Sequence, residues 1–545
     1  MKSFPRMRRW ARDPVFLLAV SAGLIALAVQ SGDTGSADTR HRLQSTHAFW
    51  TSEPAVFPNE YPEFGVHGRG GKLQSWYGIG QSLLMLPADV VGTYIEKLPV
   101  FEDYNGNDPT VRGIFVTYTV NIFLSVMTAL VCFKFLRQLN FDTRQSVAGV
   151  LALLTMTTHL HYTQNLMENN YIFLLTLAGL SFQYEWLRTG SRRALLIGSG
   201  ALGLNLLTRL TTGMDLLAAA VFLALVLVFE KASGREVGRR AREYAAVSLP
   251  VYVFFGLLDR LYQFYRFGSF FNTYASVAAA EWRQRAPGLP TNFPFSTPLR
   301  TGLIGALFTP EKSIFLFDPL LILMVILLAV AWRQFRAPAK AYVVAMGLLL
   351  TAYLCFYARY FVWSGDSAWG DRYVSTTVEL AVLLAVPLLM KYRRELGRAV
   401  WNCGLALLAA SAIIQAASVA FWLSLELYQM ETLGHPTFVV WLRMRNIVAF
   451  ALGRMSAWGL TNVPMTQDPW DYIHITSWNL LAFQLARAAQ APGWVVELGQ
   501  AVWVAGLVAL AAVLGRLWWV LRPVERRCVI SESGQEMVGR MSSKD

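Results

Sequence analysis

The sequence predicts an all-α polytopic membrane protein with about twelve spanning helices. Three observations carry this. Hydrophobic residues make up 54% of the 545 positions and charged ones only 15%, against about 25% charged in an ordinary soluble domain. The apolar residues fall in runs long enough to cross a bilayer, which takes about 20 residues as a helix. The net charge of +13 is confined to short basic clusters between those runs, the pattern of orientation signals rather than of a nucleic-acid surface.

Spans are expected near 14–30, 111–133, 145–162, 170–187, 194–208, 214–229, 245–263, 315–332, 341–361, 374–390, 400–424 and 501–520. Each is helical, because lipid offers no partner to backbone polar groups. The first run follows the basic stretch MKSFPRMRRWARD. It resembles a signal peptide but is long enough to stay as a span, and it holds the next segment at the membrane. With the N-terminus in the cytoplasm, every inner loop is basic. The clusters are Lys134/Arg137/Arg144, Arg188/Arg192/Arg193, Lys231 to Arg242, Arg333/Arg336/Lys340, Lys391 to Arg398, and Arg522/Arg526/Arg527 in the tail. The first outer segment, 31–110, holds ten acidic residues against five basic ones. An error of one span would invert every later loop.

The chain thus divides into a cytoplasmic N-terminus (1–13), a transmembrane module (14–424) including outer loop 31–110, an extracytoplasmic segment (425–500), a last span (501–520) and a cytoplasmic tail (521–545) that reads as disordered. Inside 425–500, FVVWLRMRNIVAF carries Arg443 and Arg445. It is expected to lie on the membrane as an amphipathic helix. Cys132, Cys355, Cys403 and Cys528 fall in or near spans and in the tail, so no structural disulfide is expected. No Cys/His group has metal-ligand spacing, and no internal repeat is evident.

The outer loops carry the chemistry. Asp33 and Asp38 follow the first span. A carboxylate fixed at the membrane surface can take a proton from a hydroxyl, although capping or solvation accounts for such residues equally well. The next stretch, GVHGRGGKLQSWYGIGQ, gathers Gly68, Gly70, Gly71, Gly78 and Gly80 beside Lys72 and Tyr77. It suits either a close backbone approach to a ligand or simple turns. Glu168 opens the fourth span among Asn165, Asn169 and Asn170, where it also suits the helix dipole. Arg209 ends the fifth span and precedes Asp215. It is either a functional intramembrane cation or one half of an Arg209–Asp215 pair. The segment YFVWSGDSAWGDRY concentrates Trp363, Asp366, Trp369, Asp371, Arg372 and Tyr373. Aromatic residues mark the membrane interface, but they also stack on sugars, and a guanidinium grips phosphate through two oxygens. Glu379, two turns deeper, is not expected to face lipid.

Taken together, these segments resemble the GT-C superfamily of integral-membrane glycosyltransferases, most of all bacterial relatives of protein O-mannosyltransferases and lipid A aminoarabinose transferases. ADTRHRLQSTHAFWTSEP is similar to the family's first outer loop, with Asp38 at its Asp position. Glu168 matches a second acidic residue, and Arg209 an Arg near the outer end of a middle span. GLIGALFTPEKSIFLFDPLL resembles "SP..G.F..P", and WSGDSAWGDRY resembles "W.GG...GPRY". The likeness runs over about 14–390 and rests on the order and common placement of short motifs. Thr39 stands where the family usually has a second acid, and Asp371 where it has Pro.

The resemblance implies a GT-C-like fold with juxtamembrane helices on the outer face. It implies transfer of a sugar from a polyprenyl-phosphate donor to an acceptor hydroxyl of a glycan, lipid or protein, at the outer face of a bacterial plasma membrane, with inversion. Asp38 and Glu168 would be catalytic, Asp38 as base. Arg372, Arg209 and Lys72 would bind the donor phosphate, and Trp363, Trp369, Tyr373 and Tyr77 would contact sugar or lipid. No cofactor or nucleic acid is implied; some members of the superfamily use a divalent cation and others do not, and the sequence does not indicate one here. A lipid-phosphate leaving group removes the need for a nucleotide loop. The competing class is a secondary transporter or flippase. Such proteins commonly show two similar halves, which this sequence lacks.

Overall fold

The structure is a computed structural model that describes residues 12–57, 65–104, 109–366, 368–454, 478–487 and 491–522. Among them the regular structure is helical, apart from one short hairpin. Strands β1 (Gly65–His67) and β2 (Leu73–Ser75) pair antiparallel with Gly65 opposite Ser75.

A helix stands over each of the twelve apolar segments. The chain begins with α1 (Pro14–Val29), the short α2 (Ala37–His47) and α3 (Gly80–Glu96). Then come α4 (Val111–Gln138), α5 (Thr143–Met156), α6 (His159–Gln164), α7 (Glu168–Thr189), α8 (Arg192–Leu206), α9 (Gly213–Phe229) and α10 (Gly234–Phe267). Two outer helices, α11 (Tyr274–Arg285) and α12 (Leu299–Phe308), lead into a broken span, α13 (Ile314–Phe317) and α14 (Leu320–Ala331). The series closes with α15 (Ala337–Tyr357), the pair α16 (Ser375–Val382) and α17 (Ala385–Lys391), α18 (Gly397–Ser418), α19 (Ser424–Glu431), α20 (Val439–Ala451), α21 (Leu481–Arg487) and α22 (Gly493–Leu521).

Among the described residues, six helices are long and apolar enough to cross a membrane: Val111–Gln138, Leu210–Phe229, Gly234–Phe267, Ala337–Tyr357, Gly397–Ser418 and Gly493–Leu521. The other expected crossings fall short for physical reasons. A helix the length of α5, 14 residues, rises only about 21 Å. The span at 315–332 is broken by Asp318 and Pro319, which separate α13 from α14. Helix α7 is long but carries Glu168, Asn169, Asn170 and Gln183, and nearly all of it is buried among its neighbours.

Local sequence sets the helix ends. Asp13 accepts from the Val15 amide ahead of Pro14, and Asp142 and Gln145 close a reciprocal capping box on α5. Helices α7 and α10 both stop at a glycine in the left-handed region, Gly190 and Gly268.

The alternation of helices separates two ends. At one end lie the short loops with Lys134 paired to Glu185, Arg188 paired to Glu230, and Lys391 donating to the Asn140 carbonyl. At the other end lie α2, the hairpin, α6, the starts of α7 and α16, and the 360–373 turn. That second end holds the buried Arg42, Glu168 and Asp371.

The 439–451 segment is a helix, but not with the polarity expected of a surface helix. Arg443 is fully buried and grips both carboxylate oxygens of Glu426 at 2.7 Å. Asn446 joins them, bonded to Glu426 and Gln429. Trp441 and Val448 face outward instead. The arginine thus locks α20 to α19, because a buried guanidinium requires a paired carboxylate. The expected disordered tail lies almost wholly outside the described residues, as does Cys528.

Candidate functional site

The site is built on α2. Ser36 caps this helix by accepting from the Thr39 amide, and the Thr39 hydroxyl donates to the Leu166 carbonyl at 3.1 Å. The first turn of α2 is thereby docked beside the start of α7. Thr39 is thus an anchor.

Asp38 projects from that first turn. Its Oδ1 accepts from the Tyr77 hydroxyl at 2.7 Å, and its Oδ2 accepts from Arg372 Nη1 at 2.5 Å. One turn on, Arg42 lies with its guanidinium 4.0 Å from the centre of the Tyr77 ring and pairs with Glu168. Glu168 pairs in turn with Arg209. Two carboxylates, three guanidiniums and one phenol therefore form one continuous cluster, drawn from α2, the stretch after the hairpin, α7, the α8–α9 joint and the 360–373 turn.

Several groups hold these elements in place. Arg266, almost wholly buried near the end of α10, donates to the backbone carbonyls of Ser75 and Tyr77. Gly78 and Gly80 lie against the Leu207–Thr208 backbone so closely that neither has room for a Cβ, and the Gly80 amide donates to the Leu207 carbonyl at 2.8 Å. Tyr77 is thereby brought toward Arg209. Asn169 donates to the Arg372 carbonyl at 2.7 Å and to Ser375 Oγ at 2.8 Å, tying the turn to α7. Buried Lys312 donates to the carbonyls of Asp366, Ala368 and Gly370. Within the turn, Gly365 has a φ of 74° and packs against the Arg372 backbone, a conformation only glycine adopts easily.

The electrostatics follow from burial and charge. Burial opposes ionisation of Asp38, but the charges of Arg372 and Arg42 and the Tyr77 hydrogen bond outweigh it and hold the carboxyl at about 2. Burial draws the Arg42 guanidinium down to about 10, with Asp38 resisting. Burial disfavours the charged form of Arg372, but the Asp38 carboxylate outweighs it and holds that guanidinium well above its ordinary value. Burial lifts Asp371 to about 7, although the Tyr373 amide and Lys312 favour its charged form. Arg42 Nη1 and Arg372 Nε are buried with no hydrogen-bond partner among the described residues. Two unfilled donors beside a cluster of one net positive charge suit an incoming anion.

Of the residues singled out from sequence, Asp38, Tyr77, Glu168, Arg209 and Arg372 meet in this cluster. Tyr373 lies at its edge, stacked on Tyr357 at 4.6 Å, with Arg209 and Arg372 over its ring. Trp363 packs against Gly305 of α12, half-buried. Two residues stand elsewhere. Lys72 is exposed on the hairpin turn, where Gly70 and Gly71 take positive φ in open space. Gly70 and Gly71 make a turn with none of the described residues within 4 Å of where a Cβ would sit. Trp369 is wholly buried against His161, Phe317 and Arg443, with no free face for a sugar.

Asp33 caps its own turn through the Gly35 amide. Arg209 does not pair with Asp215, which is bonded to Thr176, Asn205 and Tyr353. Glu379 is buried, bonded to Thr158 and His159, with Asp318 on the same threonine. Arg42, Arg266 and Lys312 were not singled out from sequence, and Asn169 was noted only as a neighbour of Glu168. Arg42 alone carried a signal, since four residues along a helix from Asp38 is the same face.

No protein-family model matches the chain, and a search of curated proteins finds no relative.

Proposed function

We propose that this chain is a GT-C-like membrane glycosyltransferase of about twelve spans. In this reading it moves a sugar from a polyprenyl-phosphate donor to an acceptor hydroxyl at the extracytoplasmic face of a bacterial plasma membrane. The observation that supports this most is the Asp38–Arg372 pair, set with Arg42, Tyr77, Glu168 and Arg209 at the end of the bundle away from the basic loops. The donor's isoprenoid tail stays in lipid while its phosphate reaches the three guanidiniums.

The acceptor oxygen attacks the anomeric carbon, the bond from that carbon to the phosphate oxygen breaks, and polyprenyl phosphate departs with the electron pair. The acceptor's proton passes to Asp38. A carboxylate held at about 2 is fully ionised at neutral pH but weakly basic. A donor phosphate that draws Arg372 and Arg42 onto its own oxygens releases Asp38 from the charges that depress it and raises its basicity where the hydroxyl arrives. The arginines meanwhile face the charge that grows on the leaving phosphate. Glu168 keeps Arg42 and Arg209 oriented before the donor binds.

The test is incubation of purified, reconstituted protein with radiolabelled polyprenyl-phosphate sugars and candidate acceptors. Transfer of label by the wild type and its loss in Asp38→Asn supports the reading. Movement of intact lipid-linked sugar across the bilayer without transfer would instead assign the chain to the flippase class.

A further inference from the structure

At the end of the bundle opposite Asp38, a cleft of about 190 Å³ opens between the start of α5, the last turn of α17 and the last two turns of α22. Its walls are apolar, formed by Val147, Ala148 and Leu151 on one side and Leu514, Leu517 and Leu521 on the other. Arg144 and Arg522 stand at its rim, and among the described residues no acidic one lines it. Both arginines are exposed. Neither forms an ion pair among the described residues. Arg522 lies 3.5 Å from the centre of the Trp518 ring, which orients its guanidinium without neutralising it.

We infer that this cleft binds one anionic phospholipid, its phosphate between Arg144 and Arg522 and the first part of an acyl chain in the apolar slot. The geometry matches the chemistry of that ligand at both ends. Two unpaired guanidiniums complement a phosphate, and an apolar slot at the depth of the helix ends suits a chain that leaves the headgroup for the bilayer interior. A free anion would gain nothing from the leucine walls, and a zwitterionic lipid would bring a second cation to a cleft with no carboxylate among its described lining residues. This inference is independent of sugar transfer, and its test reads lipid retention alone.

The full-length protein is purified into detergent and mixed with phosphatidylglycerol, phosphatidylcholine or inorganic phosphate, and bound species are counted by native mass spectrometry. One phosphatidylglycerol is expected to be retained at least about tenfold better than phosphatidylcholine. The preference should collapse in the double variant Arg144→Gln/Arg522→Gln and weaken with salt. A second variant, Ala148→Trp, fills the slot while keeping both arginines, and should lose the lipid as well. Thermal unfolding of each variant in the same detergent verifies folding. Equal retention of phosphatidylglycerol by wild type and either folded variant overturns the proposal. So does displacement of the lipid by millimolar inorganic phosphate, which would mark a headgroup-only anion site.

Discussion

Tyr77 donates its hydroxyl to Asp38 Oδ1 at 2.7 Å, while the face of the same ring supports the Arg42 guanidinium. One side chain thus touches the proposed base and one of the proposed phosphate ligands. Burial and the Asp38 charge keep the phenol protonated, so it is a donor throughout the working pH range.

Asp38→Asn is expected to abolish transfer with expression intact, a loss of about 10²–10⁴ in rate for a missing general base. Asp33→Asn should change the rate far less, because Asp33 bonds within its own turn. Comparison of single-turnover rates checks this. Equal rates for Asp38→Asn and wild type would remove Asp38 from the mechanism.

Tyr77→Phe removes a hydrogen bond that favours the charged carboxylate. The Asp38 pKa, ordinarily 3.8 and held at about 2 here, should therefore rise. The sign follows directly. A depressed carboxyl stabilises the fold fully above its ordinary value and loses that contribution as pH falls toward about 2. In Tyr77→Phe that contribution should be smaller and its loss complete at higher pH, and the acid limb of kcat/KM should shift upward with the raised folded-state value. An acid limb unchanged in Tyr77→Phe would show that Asp38 does not set it.

Arg372→Lys is expected to raise the apparent donor KM or lower kcat although the charge remains, since an ammonium cannot hold two phosphate oxygens in a fixed fork. Arg372→Ala should be worse, by about 2–4 kcal/mol if the contact tightens as the leaving group departs. Asp371→Asn is the control. Its carboxylate accepts from the Tyr373 amide and does not touch Arg372 directly, so donor use should be nearly normal. Matching defects in the Asp371 and Arg372 variants would mean that both merely shape the turn.

Lys312→Met should lower kcat/KM without direct contact with the donor, because it frees three carbonyls of the turn that carries Arg372. Burial pulls Lys312 down to about 8, against the pull of nearby acids. Loss of its charge as pH rises through that value should therefore loosen the turn in the wild type. The matching measurement is an alkaline limb in kcat/KM near pH 8 that disappears in Lys312→Met.

In a cysteine-free background, Ser52→Cys and Gly288→Cys should react with an impermeant thiol reagent in intact cells, and Thr189→Cys only after permeabilisation. All three residues are exposed. Protection of Ser52→Cys and Gly288→Cys with labelling of Thr189→Cys would invert the proposed topology.

The helices were legible from hydropathy, because an apolar run reports what surrounds it laterally. The meeting of Asp38, Glu168, Arg209 and Arg372 drew on motif order, and nothing in composition alone joins Asp38 to Arg372. Arg42 was missed although helical spacing offered it. The direction of Arg443 was not legible, since its partner Glu426 lies across a loop and only packing decides that the pair is buried. Lys72 and Trp369 misled for opposite reasons. A lysine in a glycine run has the same local sequence whether the turn faces a ligand or water, and a tryptophan near the interface has the same sequence signature whether its face is free or covered.

Helix α7 begins with Glu168, runs through Asn169, Asn170 and Gln183, and is covered along nearly its whole length by other helices. Those same polar groups disfavour its partition into lipid by itself. If α7 enters the membrane, it does so in the company of α4, α8 and α16, which pack around it. The order of biogenesis follows: α7 is synthesised before α8 and α16, so it waits at the insertion machinery, or beside α4 alone, until its later companions emerge. Truncation of the chain just after α7 should leave this helix extractable by alkaline carbonate, whereas extension through α8 should retain it.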